Sequence, residues 1–389
     1  LLDHPPAHDD HPGHPVVVHR LEDLGKRSFR EDAAELEAAV RHPPDCTEVP
    51  PRTGCYDPVD GFPTADGRAS GRGRRARCAR RPMRRRVAVT GLGCVTPLGT
   101  GAGAFLDGLR SCRSGVRRIS LFDPSDLPVR IAAEASGFDP ANHVGAKDAR
   151  HVSRVVPMAI AAAAEALASA GIEVEALPLD ERRRIAVLLG SGGGPVEFFE
   201  RMYGNWYRGE LKKASVYAIP TGTIGTLSSE VSMRFGLKGP SHVVSTGCTS
   251  SADAIGYAAK AIRYGERDVV LAGGADAVIT PGIMTGFGLM QILASSRQEA
   301  PETASRPFDA GRDGFVLGEG SWFFVLEEME RARARGARLL GEVAGWGSTC
   351  DAYHRVRLDE SGVEPARAMT EALGDAGLDV RDVGYVQYH

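Results

Sequence analysis

Residues 243–253 have the sequence VVSTGCTSSAD, in which a β-branched run meets Thr-Gly, a single cysteine and then small polar residues. The small residues open a pattern that continues toward Gly265, so the stretch predicts a strand, a tight turn and a helix. Cys248 falls at the helix N-terminus, where free N–H groups and the helix dipole favour a thiolate. The same N–H groups can stabilise an oxyanion on a thioester carbonyl. The stretch therefore makes Cys248 a candidate nucleophile.

The alternative for Cys248 is inert packing, because free cysteine is among the most frequently buried residue types. Its place after Thr-Gly and before a helix of Ala, Ser and Gly favours the nucleophile. A single cysteine in a turn does not decide between the two, so the rest of the chain has to.

Composition narrows the class of protein. The chain has 389 residues, enough for one large α/β domain or about two to three average domains. Its net charge of -3 gives no reason to expect nucleic acid or an anionic membrane surface as a partner. No apolar run approaches the roughly 20 residues that a membrane span needs. The seven cysteines lack metal-ligand spacing, which predicts a reducing cytoplasm and no bound metal.

Residues 1–82 differ in composition from the rest of the chain. They begin with the His/Pro/Asp tract LLDHPPAHDDHPGHP and end in a Gly/Arg tract, and only residues 31–40 show a helical pattern. The histidines lack a Cys/His metal framework, and the arginines suit a solvated tail better than a polyanion site. We expect residues 1–82 to be disordered or extraneous to the fold.

Apolar runs predict the strands of a sheet. Residues 87–93 (VAVTGLG) predict a strand that runs into a glycine turn, and residues 184–190 and 268–275 predict two more strands. Such runs alternating with helices indicate a mainly parallel sheet covered on both faces. Thr96 stands where a dinucleotide fingerprint needs glycine, and no Lys-Ser/Thr follows the loop at 191–194, so we expect no nucleotide cofactor.

Other segments complete the predicted layout. Helices are expected at residues 102–109, 155–170, 221–235, 327–335 and 365–376, and later strands at 321–326, 339–347 and 383–386. The aromatic stripe between Phe198 and Tyr207 suits a core or a subunit interface better than a ligand platform. Asp309 and Asp313 lie in a loop that contains arginines and glycines, so a charge-paired scaffold is favoured over acid/base catalysis.

Six motifs together resemble the β-ketoacyl synthases of the thiolase-like superfamily. They extend from about Arg85 to the last residue: VAVTGLGCVTPLG, GPSHVVSTGCTSSADAIGYA, DVVLAGGADAVITP, SRPFDAGRDGFVLGEG, CDAYH and GYVQYH. The resemblance implies an α/β thiolase-like fold with layers in the order α-β-α-β-α and two similar halves. Residues 83–336 would form the first half with the nucleophile, and residues 337–389 the start of the second.

The resemblance also implies a chemistry, a decarboxylative Claisen condensation without a cofactor. Cys248 would accept an acyl group from the phosphopantetheine thiol of an acyl carrier protein, and malonyl-acyl carrier protein would lose CO2 and attack that acyl-cysteine. His389 matches the first of two histidines that the family places near the carbanion, where an imidazole stabilises the enolate oxygen. The family's Gly-Thr-Ser-Thr loop, lysine, second histidine and Gly-Phe-Gly-Gly loop would follow His389. We therefore expect a truncated protein that cannot complete the condensation and leaves apolar sheet surface exposed.

Within the family, residues 245–250 (STGCTS) and 350–354 (CDAYH) are most similar to ketosynthase α subunits of bacterial type II polyketide synthases. The alternatives are a fatty-acid elongation synthase (β-ketoacyl-ACP synthase II), a thiolase that acts on CoA thioesters, and an inactive fragment with an interaction role. The expected partners are acyl carrier protein and a second subunit, either an identical chain or a chain-length factor. The sheet that carries Cys248 is expected near that dimer interface.

Overall fold

The computed structural model describes residues 84–149 and 151–389 of the chain. The predictions for residues 1–82, including the short helix at 31–40, lie outside the described residues.

One sheet organises the described residues. It has the strand order β2-β1-β8-β7-β5-β6, and β9 also pairs with β1, whereas β3 and β4 form a separate two-stranded sheet. The strands are β1 (Val87–Thr96), β2 (Gly99–Thr100), β3 (Arg117–Arg118), β4 (Ile131–Ala132), β5 (Ile185–Gly190), β6 (Ser241–Val244), β7 (Val269–Asp276), β8 (Gly320–Glu328) and β9 (Gly341–Glu342). β5 pairs in parallel with β6 and β7, and β8 is antiparallel to both β7 and β1. β1, β5, β6 and β7 therefore share one direction. Only the β5–β6 and β5–β7 pairs are parallel, however, and β8, β2 and β9 pair antiparallel, so the sheet is mixed and the prediction of a mainly parallel sheet is only partly correct.

Helices cover both faces of this sheet. They are α1 (Ala102–Arg110), α2 (Ala141–Val144), α3 (Val155–Ser169), α4 (Leu179–Arg184), α5 (Val196–Tyr207), α6 (Ala218–Gly222), α7 (Thr226–Phe235), α8 (Ser250–Arg263), α9 (Pro281–Leu289), α10 (Met329–Ala334) and α11 (Val363–Ala376). Along β7, Val269 and Leu271 join the core that contains α3 and α7, while Val270 and Ala272 join the core that contains α8. This alternation buries both sides of the sheet, which explains why its strands have uninterrupted apolar sequences.

The prediction that β1 ends in a glycine turn is wrong. β1 continues through Gly91 and Gly93 to Thr96, and the turn comes only at Pro97. The two glycines are needed inside the strand because α3 packs directly against it. A Cβ on Gly91 would lie 2.1 Å from Ala166 O, and a Cβ on Gly93 would lie 2.2 Å from Ala162 O.

The same contact recurs later in the chain. A Cβ on Gly345 would lie 2.1 Å from Ala372 O, and a Cβ on Gly347 would lie 2.3 Å from Ala368 O, with both alanines on α11. In both places, a Gly-x-Gly segment lies under a helix whose nearest carbonyls are four residues apart. Two parts of the chain therefore share the same close contact between paired glycines and a helix backbone.

We expect Gly93→Ala to lower the free energy of unfolding by about 2 kcal/mol, because its methyl group meets helix backbone that cannot move alone. Urea unfolding followed by circular dichroism measures this. Gly103→Ala is the control, since Gly103 is exposed in α1 and has no atom within 4 Å of its ideal Cβ. Gly103→Ala should leave the free energy of unfolding unchanged or raise it slightly. Equal losses of unfolding free energy in Gly93→Ala and Gly103→Ala would contradict the packing argument.

Several predicted boundaries need correction. The single helix predicted at 221–235 is two helices, α6 and α7, which are separated at residues 223–225. The helix predicted from Glu327 begins at Met329, because β8 extends through Glu328 and the Glu328 side chain accepts a hydrogen bond from Arg331 N at 2.7 Å. That carboxylate is the N-cap of α10.

The later strands are shorter than predicted or absent. The strand expected at 339–347 is reduced to β9, and residues 383–386 form no strand. Tyr385 in this segment is 78% exposed, and no strand in the described part of the chain pairs with the segment. A strand needs a neighbour for its backbone hydrogen bonds, so an apolar sequence alone does not produce one.

Candidate active site

Cys248 lies in a short turn between the edge strand β6 and helix α8. β6 ends at Val244, a 3₁₀ turn covers Gly247–Thr249, and α8 begins at Ser250. Gly247 has a φ of 68°, a conformation that favours glycine. The Cys248 side chain is exposed. Cys248 lies two residues before Ser250, the first residue of α8.

Hydrogen bonds close this turn around Cys248. Thr246 N donates to Ser250 Oγ at 2.9 Å, and Ser250 Oγ donates to Gly247 O at 2.6 Å. Asp253, which is 6% exposed, accepts hydrogen bonds from the hydroxyls of Thr246 at 2.7 Å and Thr249 at 3.2 Å. The residues on both sides of Cys248 are therefore fixed to the first turn of α8.

Glycines bring this helix end onto the sheet. An ideal Cβ on Gly190, the last residue of β5, would lie 2.3 Å from the Ser250 carbonyl carbon. One on Gly274 in β7 would lie 2.6 Å from Ser251 Cβ. The N-terminus of α8 thus rests on the carboxyl ends of two parallel strands, where sites of α/β sheets are commonly found.

A small cavity opens beside the sulfur. Its volume is about 200 Å³, and its walls include Gly190, Cys248, Ser251, Asp276 and Trp322. Larger cavities of about 730 and 480 Å³ lie elsewhere, and Cys248 lines neither. The small cavity is the candidate site because it combines an exposed thiol with a helix N-terminus.

The other described cysteines lack this setting. Cys94 is fully buried, and burial raises the pKa of its thiol to about 12, which keeps it protonated. Cys112 and Cys350 are exposed, but neither lines the cavity at the start of α8. Among the described cysteines, Cys248 has the position that nucleophilic catalysis requires.

His389 lies apart from this cavity wall. It is exposed, and the residues that line the Cys248 cavity do not include it. Its neighbour Tyr388 contacts Phe308 edge-on, with ring centroids 5.4 Å apart. The structure thus places the segment that carries His389 beside the loop at 305–313.

The Asp309/Asp313 loop has the hydrogen bonds of a scaffold. Asp309 forms an ion pair with Arg306 at 3.3 Å. Asp313 accepts hydrogen bonds from Ser296 N at 2.7 Å and Ser295 N at 2.9 Å, and these N–H groups lower the pKa of its carboxyl. Both carboxylates hold backbone or charge partners, in agreement with the structural interpretation.

Sequence reasoning assigned no role to two carboxylates at the site, Asp253 and Asp276. Asp276 is the last residue of β7 and lines the cavity with Cys248. The sequence signal for Asp276 was its place as a polar residue at the carboxyl end of a buried parallel strand, where sites of α/β sheets are commonly found. For Asp253, the signal was a carboxylate in the first turn of the nucleophile's helix.

The described residues contain neither a cluster of metal-ligating side chains nor a membrane-spanning helix. None of the described His, Cys, Asp and Glu side chains forms a group of three or more that could hold a metal ion. Within residues 84–149 and 151–389, no helix combines the length and the apolar character that crossing a membrane requires.

Comparison with known families fits this geometry. Residues 84–332 match the family model of the β-ketoacyl synthase N-terminal domain, and residues 340–389 match that of the C-terminal domain. The chain belongs to the β-ketoacyl synthase family. One relative of this β-ketoacyl synthase is a putative polyketide β-ketoacyl synthase 1 from Streptomyces cyaneus, 42% identical over 314 residues, or 79% of this chain and 73% of the relative. Another is 3-oxoacyl-[acyl-carrier-protein] synthase 2 from Vibrio cholerae, 39% identical over 306 residues, or 79% and 73%.

Solved structures agree on the fold of this β-ketoacyl synthase. The ishigamide ketosynthase/chain length factor matches with a TM-score of 0.69 and 32% identity, covering 77% of this chain and 72% of that chain. The AntDE:AntF complex, described as a type II PKS acyl-carrier protein with its ketosynthase bound to the hexaketide, matches with a TM-score of 0.69 and 27% identity over 78% and 72%. The predicted α/β thiolase-like fold and the family resemblance are confirmed.

Proposed function

We propose that this β-ketoacyl synthase, with the family motifs that the resemblance places after His389, joins an acyl group on Cys248 to a malonyl unit on acyl carrier protein, with loss of CO2. The observation that carries the proposal is the exposed Cys248 at the N-terminus of α8, beside a cavity at the carboxyl edge of the sheet. Family membership gives the reaction class, and the geometry supports Cys248 as the nucleophile.

The first step is acyl transfer. The Cys248 thiolate attacks the thioester carbonyl, the oxygen becomes an oxyanion near the free N–H groups of α8, and the phosphopantetheine thiolate leaves and takes up a proton. In the second step, the malonyl group loses CO2. The enolate carbon then forms a bond to the acyl carbonyl, and the Cys248 thiolate is released.

His389 is our candidate for stabilising the enolate. An imidazole N–H that donates to the enolate oxygen lowers the barrier to decarboxylation. Support comes from the match of its motif to the family and from its place in the matched C-terminal domain. Because His389 does not line the Cys248 cavity, this role requires the malonyl group to approach from the side of residues 305–313.

We expect His389→Ala to slow decarboxylation of malonyl-acyl carrier protein roughly 100-fold, since it removes a donor to the developing oxyanion. Acylation of Cys248 should change little. Release of CO2 from labelled malonyl-acyl carrier protein measures the first rate. His354→Ala is the matched control, because His354 is exposed and, among the residues that the structure describes, accepts hydrogen bonds only from its near neighbours Val356 N and Arg357 N, both at 3.1 Å. Unchanged decarboxylation in His389→Ala would remove His389 from the mechanism.

Polyketide synthesis is the pathway that we favour, and fatty-acid elongation is the second candidate. The relatives include both kinds of synthase, at 42% and 39% identity. A product that retains its β-keto groups after several rounds would support the polyketide pathway. A requirement for reduction between rounds would support fatty-acid elongation.

We further infer that the protein acts as a dimer with acyl carrier protein as its substrate donor. β6 is the outer strand of the sheet, so its free edge can pair with another chain. The stripe on α5 adds exposed aromatic surface, with Trp206 57% and Tyr207 80% exposed. The partner is either an identical chain or a chain-length factor, and light scattering that shows only a stable monomer would contradict both.

We assign residues 83–336 to the first half of the fold and residues 337–389 to the start of the second. We also propose a cytoplasmic location.

Intact mass spectrometry tests the proposed function. The protein is incubated with octanoyl-acyl carrier protein or with octanoyl-CoA, and the mass gain is assigned to a residue by peptide mapping. Gain of one octanoyl group from the carrier protein at Cys248 is the expected result. Gain from CoA alone would indicate a thiolase, and gain from neither would indicate a non-catalytic interaction protein.

A further inference from the structure

The loop of residues 191–194 (SGGG) faces the turn of Cys248. It follows β5 directly, at the same edge of the sheet from which β6 leads to the nucleophile. An ideal Cβ on Gly192 would lie 3.2 Å from Gly247 O and 3.7 Å from Asp276 Oδ2. Gly192 therefore stands between the nucleophile's turn and the Asp276 carboxylate.

Side chains do little to hold this loop in place. Three of its four residues are glycines, which lose more conformational entropy on ordering than other residues. Its position depends on hydrogen bonds, and these converge on Asp276. Asp276 Oδ1 accepts from Ser191 Oγ at 2.9 Å and Gly193 N at 2.8 Å, and Oδ2 accepts from Gly192 N at 3.0 Å.

A fourth hydrogen bond extends the network. The fully buried Ser191 hydroxyl, which donates to Asp276, accepts from Gly194 N at 2.9 Å. One carboxylate thus fixes the loop directly at two backbone N–H groups and one hydroxyl, and indirectly at a third N–H group. The same Asp276 lines the cavity next to Cys248.

We propose that Asp276 is a positioning residue for acyl transfer to Cys248, because its carboxylate holds the 191–194 loop clear of the nucleophile's turn. This inference rests on the proposed function. An acyl thioester has to bring its carbonyl carbon to within roughly 3.5 Å of the sulfur, and a misplacement of about 1 Å can cost two orders of magnitude in rate. A small alkylating reagent needs no such fit.

The test compares two reactions of the same sulfur. Octanoyl-pantetheine acylates Cys248 and iodoacetamide alkylates it, and intact mass spectrometry follows both rates in the purified protein. Asp276→Asn keeps the size of the side chain but replaces one acceptor oxygen by an NH₂ donor that faces N–H groups. We expect acylation to fall about tenfold. Alkylation should not fall, because the substitution also removes a negative charge from the cavity.

Two further variants keep the test decisive. Ser191→Ala removes a single hydroxyl of the network and should lower acylation in the same direction by a smaller factor. The double variant should lose less than the product of the two single effects, because the two side chains share one network. Ser191→Ala also serves if Asp276→Asn does not fold.

Glu134→Gln is the matched control. Glu134 is 1% exposed and accepts from Ser120 N at 2.9 Å, Leu121 N at 3.1 Å and Ser120 Oγ at 2.6 Å. This donor set is the same as that of Asp276, but Glu134 does not line the Cys248 cavity. Its substitution should lower stability without changing the ratio of acylation to alkylation.

Three outcomes would overturn the inference. Unchanged acylation in Asp276→Asn would show that the loop needs no carboxylate. Parallel losses of acylation and alkylation would show that Asp276 only supports the fold. A wild-type protein that reacts with iodoacetamide but is acylated by neither octanoyl-pantetheine nor octanoyl-acyl carrier protein would overturn the proposed function, and this inference with it.

Discussion

Cys248→Ala should abolish acyl loading, with a loss on the order of a thousand-fold or more, because no other described cysteine combines exposure with a helix N-terminus. The measurement is the mass gain after incubation with octanoyl-acyl carrier protein. Cys248→Ser is the more informative companion, since it keeps the size and the hydrogen-bonding group but is a far weaker nucleophile. Loss of loading in both variants, with unchanged thermal unfolding, would attribute the effect to the sulfur.

Cys350→Ala supplies the control for Cys248. Cys350 is exposed, as Cys248 is, but it does not line the cavity at the start of α8. Loading should therefore persist in Cys350→Ala. Equal losses of acyl loading in Cys248→Ala and Cys350→Ala would contradict the proposal that the N-terminus of α8 makes Cys248 the nucleophile.

Glu327→Gln should lower the free energy of unfolding by about 3 kcal/mol at neutral pH. Glu327 is fully buried near the end of β8 and accepts hydrogen bonds from Thr90, Arg331 and Arg335, the last at 3.0 Å from Nε. An amide in its place leaves two arginines without a buried counter-charge. Urea unfolding measures the loss, and the control is Glu330→Gln, because the exposed Glu330–Arg333 pair should contribute well under 1 kcal/mol.

The contribution of Glu327 should also depend on pH. Burial alone would raise the pKa of its carboxyl, but hydrogen bonds from Arg335 and Thr90 and the charges of both arginines outweigh burial and lower it. A lowered pKa gives stability that is present above the unfolded pKa of about 4.3 and is lost as pH falls through the folded pKa. The difference in stability between wild type and Glu327→Gln should therefore shrink on acidification, and a constant difference would contradict this account.

Sequence patterns predicted the long elements well because their periodicity is local. The apolar run at 184–190 became β5, and the small-residue run at 155–170 became α3. The nucleophile's turn was also predictable, since Thr-Gly and the small residues after Cys248 need no distant partner to be recognised.

Features that depend on distant partners were not predictable. Gly91 and Gly93 looked like a turn because the reason for them, the close approach of α3, lies about 70 residues away in the chain. Asp276 could be placed at a strand end, but its role depends on a loop some 85 residues earlier. The sequence could not show that residues 383–386 lack a pairing strand among the described residues, since strand formation is decided by the neighbour.

The recurrence of the Gly-x-Gly contact beneath α3 and α11 bears on the ancestry of the chain. Two independent origins of one Gly-x-Gly-under-helix contact, each with carbonyls of alanines four residues apart above paired glycines, are less economical than one origin copied within a gene. Because any side chain at these glycines collides with helix backbone, both pairs of positions tolerate only glycine without a shift of the helix. The repeated contact is what a tandem duplication of a shorter ancestor would leave behind.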